Sequence, residues 1–354
     1  LQEAAIDVVP VARLRYSRRD LDLIETFLEG ELHMKLQRCA LALAGAGLLA
    51  ASVSSDPAFA GKPDPKSSWS AKAAQQNSKK AATADGPCIS SVASPTTSAT
   101  VEGVDVTPNR APSPPSATVY DPPISNFVAT RTNATWYLAM NAAGTQLYYY
   151  GLLLQGGTLY RHTTYVPDKK PPVPTFKRIG PGWTSFKAIA TSNYSAAPPR
   201  HSYLYGLNSN GSLYRYAMIG AGFKSLGALP GFRGFKAMTV ISETATYDTL
   251  LMTTTAGALY TVHIPVAAGA KPVLKLIRST GWSAYESLAV QGCGTRGGSL
   301  IVAVDQNTKT GNQFAMSKAN GAATAITSYG KIPAAFNGVN SVSITTAYDQ
   351  LVGE

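Results

Sequence analysis

Three aromatic pairs stand three positions apart, each opened by glycine: Trp183 and Phe186 after Gly182, Phe232 and Phe235 after Gly231, Trp282 and Tyr285 after Gly281. A flat aromatic face suits the C–H side of a sugar ring, and neighbouring amides such as Asn208 and Asn210 suit its hydroxyls. Carbohydrate binding is therefore the chemistry these residue types offer. The competing reading is packing, since repeated aromatics also bury the large areas that hold sheets together, and Tyr160, Tyr214 and Tyr260 read as core on the same ground. Covalent chemistry is poorly served. Residues 120–354 hold eight acids: Asp121, Asp168, Glu243, Asp248, Glu286, Asp305, Asp349 and Glu354. A glycosidase needs two carboxylates facing one sugar, about 5 to 10 Å apart. Asp248 and Asp349 follow tyrosine at matching places and read as structural. Asp121, Asp168 and Glu354 fall in loops or at the end, and Glu243, Glu286 and Asp305 share no evident face. There is no Gly-x-Ser-x-Gly elbow and no local Cys-His or His-Asp pair. His162, His201 and His263 stand apart in the sequence and read as surface or packing residues, so neither catalysis, a cofactor nor a metal site is expected.

The elements that would carry the aromatic pairs show a repeat. Gly157-Thr158-Leu159-Tyr160, Gly211-Ser212-Leu213-Tyr214, Gly257-Ala258-Leu259-Tyr260 and the more worn Gly311-Asn312-Gln313-Phe314 recur at intervals of 54, 46 and 54 residues. That is the length of a four-stranded propeller blade and too irregular for a solenoid turn. Alternating β-branched and aromatic segments are bounded by Gly, Asn and Pro, and no window sustains a 3.6-residue period, so the chain is all-β. In the clearest unit 186–190 and 203–207 read as the first two strands. Asn210-Gly211 forms a tight turn, 212–216 is the third strand and 223–226 closes the outer edge. The positions Ile124, Trp183, Phe232, Trp282 and Phe336 mark four whole units and the start of a fifth, hence a five-bladed β-propeller of about 50-residue repeats with its last blade incomplete. Either 117–120 supplies an outer strand and 339–346 with 350–352 the inner ones, or the chain is a truncated product.

The N-terminal part reads differently. Met34-Lys35-Leu36-Gln37-Arg38 opens a basic region, residues 39–53 are apolar, and Ala58-Phe59-Ala60 offers a small-x-small cleavage site, so residues 34–60 read as a secretory signal peptide. The apolar run falls short of the roughly 20 residues that span a bilayer. A secreted protein without stable membrane insertion is expected. Residues 1–33 then read as a mis-called upstream leader, with translation starting at Met34. The codons for Glu29-Gly30-Glu31 can spell a ribosome-binding sequence, which fits a bacterial source. From 61 to 115 the chain is rich in Ser, Ala, Thr, Pro and Lys and reads as a disordered linker, whose later part, 88–92 and 101–106, has enough β-branched residues to lie along the domain if Cys88 and Cys293 pair, with 116–354 as the repeat domain.

Residues 61–354 hold 25 Lys and Arg against 12 Asp and Glu, a formal balance of +13. Such a surface favours polyanions, but the basic residues are scattered singly and form no block of nucleic-acid type. Only Cys88 and Cys293 fall beyond residue 60; they read either as a disulfide tying the N-terminal segment to the repeats or as two free thiols.

The run Lys177-Arg178-Ile179-Gly180-Pro181-Gly182-Trp183-Thr184-Ser185-Phe186-Lys187, with Tyr203-Leu204-Tyr205-Gly206-Leu207 and Gly211-Ser212-Leu213-Tyr214-Arg215, resembles the repeat of the tachylectin-2-type propeller lectins. The resemblance covers about residues 120–354. It implies a five-bladed propeller that binds N-acetylated amino sugars, of N-acetylglucosamine or N-acetylgalactosamine type, at equivalent sites near its blades. Phe232, Ile124 and Phe336 depart from the tryptophan of the pattern, and Gln313-Phe314 departs from Leu-Tyr. The units beginning at Trp183, Phe232 and Trp282 are thus the ones expected to carry a site. The expected function is recognition of such sugars or of cell-wall polysaccharide. Two readings stand beside it: an interaction module for proteins or anionic wall polymers, and, less favoured, a propeller glycosidase. Oligomeric state is not legible.

Overall fold

The computed structural model describes residues 88–96, 100–108, 116–119, 131–132, 135–140, 147–166, 173–220, 222–293, 297–346 and 351–354. The leader, the signal peptide and the first part of the linker lie outside the described residues. Every element described is a β-strand.

Three sheets repeat one plan, four antiparallel strands in chain order. Unit 2 runs β9 (Phe186–Tyr194), β10 (His201–Asn208), β11 (Ser212–Ile219), β12 (Gly222–Pro230). Unit 3 runs β13 (Phe235–Glu243), β14 (Tyr247–Thr254), β15 (Leu259–Pro265), β16 (Val273–Arg278). Unit 4 runs β17 (Ser287–Gly292), β18 (Ser299–Asp305), β19 (Thr310–Met316), β20 (Ile326–Ala335).

A larger sheet holds the remaining strands and divides at its one parallel pairing. On one side lies unit 1, with β5 (Thr135–Met140), β6 (Leu147–Gln155), β7 (Thr158–Val166) and β8 (Val173–Pro181), and with the short β4 (Arg131–Thr132) beside β6. On the other side β21 (Val342–Thr346) pairs with β1 (Ser90–Pro95), which continues into β2 (Thr100–Val106) and β3 (Ser116–Val119). The join is β21 against β5, Ser343 opposite Thr135. A fifth four-stranded set is thus assembled from both ends of the described chain. Neighbouring units touch through β9 on β13, β13 on β17, β17 on β21 and β21 on β5, and the short β4 touches β9.

Within the linker expected over 61–115, the later part is ordered on the domain and supplies β1 and β2. The composition there is poor in large side chains, but β21 offers an unsatisfied strand edge, and pairing on it satisfies main-chain groups that composition cannot weigh. The inner strand expected at 350–352 is corrected, because Val352 bridges to Ser242 in unit 3.

The core is divided among the seams. Val92, Val104 and Val106 pack against Ala289, Val302 and Phe336 between the fifth set and unit 4. Trp136 and Leu153 meet Ala93, Val101 and Val342 between unit 1 and the fifth set. Comparable clusters fill the seams between units 1 and 2, 2 and 3, and 3 and 4.

The two sequence themes are halves of one joint. Trp183 donates its backbone N–H to the carbonyl of Gly157 in the preceding unit at 2.9 Å, Phe232 to Gly211 at 2.8 Å, and Trp282 to Gly257 at 3.0 Å. A fourth joint runs from Phe336 to Lys309 at 3.0 Å. The glycine is required there: Gly211 has φ 90°, and a Cβ would lie 3.2 Å from the Arg233 backbone. Phe232 is 1% exposed in the seam that the joint closes. Phe232→Ala leaves the main-chain bond and removes the ring, so a loss of about 3–5 kcal/mol is expected in denaturant unfolding.

Candidate functional site

The joints differ in what they leave accessible. Phe232, Trp282 and Phe336 are buried, whereas Trp183 is half-buried. Its indole lies 4.6 Å from the Phe186 ring and 5.1 Å from Tyr216, centre to centre. Phe186 meets Tyr214 edge-on at 5.4 Å, and Tyr214 and Tyr216 stack at 6.3 Å. In units 3 and 4 the place of Tyr216 is taken by the buried aliphatic side chains of Val262 and Met316, over which the seam closes. Asn210 sits exposed on the adjoining turn. Its side-chain carbonyl accepts from Ser212 N at 2.9 Å, and its amide donates to the Tyr214 hydroxyl at 3.3 Å.

Unit 1 lines the other wall of this seam. Residues of the same parity on β6 share a face, so Tyr148 and Tyr150 lie on the same side of their sheet as Leu152 and Leu154, which pack on Ile189 and Leu204 of unit 2. Tyr148 stacks on Tyr165 at 5.2 Å and on Tyr150 at 6.1 Å. Burial, then the neighbouring Tyr148, pushes the Tyr150 hydroxyl up to about 12. Arg161 spans the seam, donating from Nη2 to the Gly220 carbonyl at 3.2 Å. The seam between units 1 and 2 thus holds the half-buried rings of Trp183, Tyr214 and Tyr216 against its apolar cluster, where the next two seams are filled mainly by aliphatic side chains.

Of the residues singled out from the sequence, Trp183, Phe186 and Asn210 come together here. Phe186 is buried and supports the indole. Asn208 is buried, its side-chain carbonyl accepting from Asn210 N at 3.0 Å to shape the turn. Phe235 is buried against Phe232 at 5.4 Å, and Tyr285 is half-buried against Trp282 at 5.5 Å. The buried rings of Phe232, Phe235 and Trp282 present little face to a ligand and act in packing. Tyr216 escaped sequence reasoning as a site residue, and so did Tyr148, Tyr150 and Tyr165. The signal available was the alternation Tyr214-x-Tyr216, which puts both rings on one face.

The described acids take structural partners; Asp121, Asp168 and Asp349, like Ile124, lie outside the described residues. Glu286 pairs with Lys236 at 3.0 Å. Asp305 accepts from Asn307 N at 2.9 Å and Thr308 N at 3.2 Å within its own turn. Glu243 and Asp248 are cross-strand neighbours on β13 and β14. Asp248 is fully buried and accepts from Ser192 Oγ at 2.6 Å, Tyr205 Oη at 2.7 Å and His201 Nε2 at 2.9 Å. Glu243 accepts from Asn193 N at 3.1 Å. Burial, then Asp248, pushes its carboxyl up to about 8, so at neutral pH it is mainly protonated beside an acid that three donors hold. Together these groups lock units 2 and 3. Cys88 and Cys293 form a disulfide that fastens the start of β1 to the end of β17.

No family model matches the chain, and no curated protein matches it. Solved structures with a similar strand arrangement include the SapL1 lectin in complex with alpha methyl fucoside, at 11% identity, TM-score 0.36, covering 68% of this chain and 79% of that one. Another is the BP39L lectin from Burkholderia pseudomallei, at 14% identity and TM-score 0.35, covering 70% and 68%. A third is the Aleuria aurantia fungal lectin, described as a six-bladed β-propeller with a novel fucose recognition mode, at 13% identity and TM-score 0.42, covering 73% and 83%.

Proposed function

We propose that the chain is a secreted, five-bladed β-propeller lectin. It binds N-acetylated amino sugars of surface or cell-wall glycans without altering them, at the seam between units 1 and 2. The observation that carries this reading is Trp183, a joint aromatic left half-buried, with Phe186, Tyr214 and Tyr216 around it and the Asn210 amide on the rim. An apolar face flanked by a few fixed polar groups is the make-up of a small-ligand site. The class of sugar comes from the resemblance of the repeats, and the extracellular setting from the signal-peptide pattern. Because Phe232 and Trp282 are buried, the reading assigns one site of this kind where the sequence suggested three.

The test is retention on chitin or peptidoglycan, competed by free N-acetylglucosamine or N-acetylgalactosamine. Trp183→Leu, which keeps an apolar side chain in the seam, is expected to weaken retention about tenfold or more, as loss of an aromatic anchor does. Its circular dichroism should be that of the parent chain. Phe336→Leu, in a seam remote from the site, should bind normally if it folds. Retention abolished by salt and indifferent to sugars would instead indicate a polyanion-binding surface, the role to which the +13 balance of residues 61–354 is suited.

A further inference from the structure

The last described residues, Leu351-Val352-Gly353-Glu354, lie against units 2, 3 and 4 and make contacts of four kinds. Within its own sheet β13 pairs with β14 alone, which leaves its second edge open. Residues 351–354 add to that edge in antiparallel sense. Glu243 N donates to the Leu351 carbonyl at 3.0 Å, Gly353 N donates to the Ile241 carbonyl at 2.8 Å, and Val352 stands opposite Ser242. Leu351 enters the apolar cluster between units 2 and 3, with Val240, Leu250 and Ile264. Gly353 is held from the other side by unit 4, its carbonyl accepting from Ala319 N at 2.6 Å.

A Cβ on Gly353 would lie 2.7 Å from the Ile241 carbonyl oxygen and 2.7 Å from Ser299 Oγ, so the third position admits glycine alone. Glu354 then reaches across the face of unit 3. Its Oε2 accepts from His263 Nδ1 at 2.8 Å and from the Thr249 hydroxyl, and its Oε1 is 3.5 Å from Lys275 Nζ. The backbone N–H of Glu354 is taken by Ser242 Oγ at 2.6 Å. These are the ingredients of peptide recognition by strand addition, in which main-chain bonds give affinity and pockets for particular side chains give specificity.

We propose that the groove formed by the open edge of β13, the Thr249–His263–Lys275 face and the Ala319 loop is a peptide-binding site. Its ligand is a Leu-x-Gly-Glu segment, and the chain's own residues 351–354 fill it. Glycine followed by glutamate occurs at one other place in the sequence, Leu28-Glu29-Gly30-Glu31, again with leucine two positions before the glycine. A peptide of that sequence is expected to bind the same groove, because the second position carries the weakest demand: Val352 is only half-buried.

The experiment uses the full chain carrying Gly353→Val, which clashes with Ile241 and vacates the groove while leaving its walls intact. Fluorescein-labelled Leu-Val-Gly-Glu, amidated at its end, is titrated and followed by anisotropy. Saturable binding is expected with Gly353→Val and at least tenfold weaker binding with the parent chain, whose groove is occupied. Glutamine in place of the peptide's glutamate should weaken binding about tenfold or more, through loss of charge-assisted hydrogen bonds. Valine in place of its glycine should abolish it. Glu354→Ala serves as a second, milder variant, in which excess peptide displaces the weakened 351–354 segment. A folded variant that ignores the peptide, or that binds a scrambled sequence equally well, overturns the proposal. So does failure of both variants to fold, since residues 351–354 would then be an integral part of the sheet and not the occupant of a site.

Discussion

Replacing Cys88 and Cys293 together by serine is expected to lower the free energy of unfolding by about 5 kcal/mol, the chain-entropy value for a crosslink closing a loop of this length. The disulfide joins residues 205 apart in sequence. Cys88 lies just before β1 and Cys293 just after β17, so the crosslink holds the N-terminal strands to unit 4. Those strands are otherwise held by the short pairing of β1 against β21, by Val92, Val104 and Val106 in one seam and by Ala93 and Val101 in the other, and by the bond from Val339 N to the Pro95 carbonyl. In the reduced protein β1, β2 and β3 should become the first segment to open, exposing the edge of β21. The measurement is denaturant unfolding with and without reductant, together with amide exchange along residues 90–119. A midpoint unmoved by reduction, with β1 as protected as β13, would show that strand pairing alone holds the fifth set in place.

The second large effect is a pH dependence carried by Glu243. Its carboxyl titrates near 8 in the folded chain, well above the ordinary carboxylate value, because it is buried and faces Asp248. The folded state therefore holds that proton more tightly than the unfolded state does. The resulting stabilisation is fully present below about pH 4.5 and is lost as pH rises through 8, at about 1.4 kcal/mol per pH unit and about 5 kcal/mol over the whole range. His162 acts in the opposite sense. Burial lowers its pKa to about 3, so its folded state resists protonation and stability is gained as pH rises from there to about 6.5. The two slopes offset each other between about pH 4.5 and 6.5. Above that Glu243 acts without His162, and the parent chain should lose about 2 kcal/mol between pH 6.5 and 8. Glu243→Gln keeps the shape and an acceptor for Asn193 N but cannot ionise, so its stability should stay level over that interval. A parallel decline in both proteins would assign the slope to other groups.

Much of the repeat was legible because turn chemistry and burial act locally. Asn210-Gly211 specifies a tight hairpin from its own side chains, and β11 and β12 follow from the strand signals on either side. That the glycine theme and the aromatic theme form a single joint was not legible, since Trp183 and Gly157 meet only once two units are stacked. Of the fifth set, β3 and β21 fall where 117–120 and 339–346 read as strands, whereas the pairing of β1 on β21 was not legible, for a related reason. Ser-Ser-Val-Ala-Ser-Pro has little intrinsic strand preference and becomes β1 because β21, some 250 residues away in sequence, presents an open edge to it. Residues 351–354 show the same limit, since only the folded unit 3 brings Thr249, His263 and Lys275 to one glutamate.

The site divides in the same way. Trp183 could be picked out by its place in the repeat, but so could Phe232 and Trp282. What separates them is Tyr216 where units 3 and 4 have Val262 and Met316, a difference of bulk whose effect appears only when the seam closes.

The seam between units 1 and 2 is tested most directly by the indole N–H resonances of the isotope-labelled chain. Its tryptophans are Trp69, Trp136, Trp183 and Trp282. Titration with chitin oligosaccharide should move the Trp183 resonance, assigned by its disappearance in Trp183→Phe, and leave those of buried Trp136 and Trp282 in place. A saturating glycan that leaves Trp183 unmoved, or shifts Trp282 in its stead, would contradict the account.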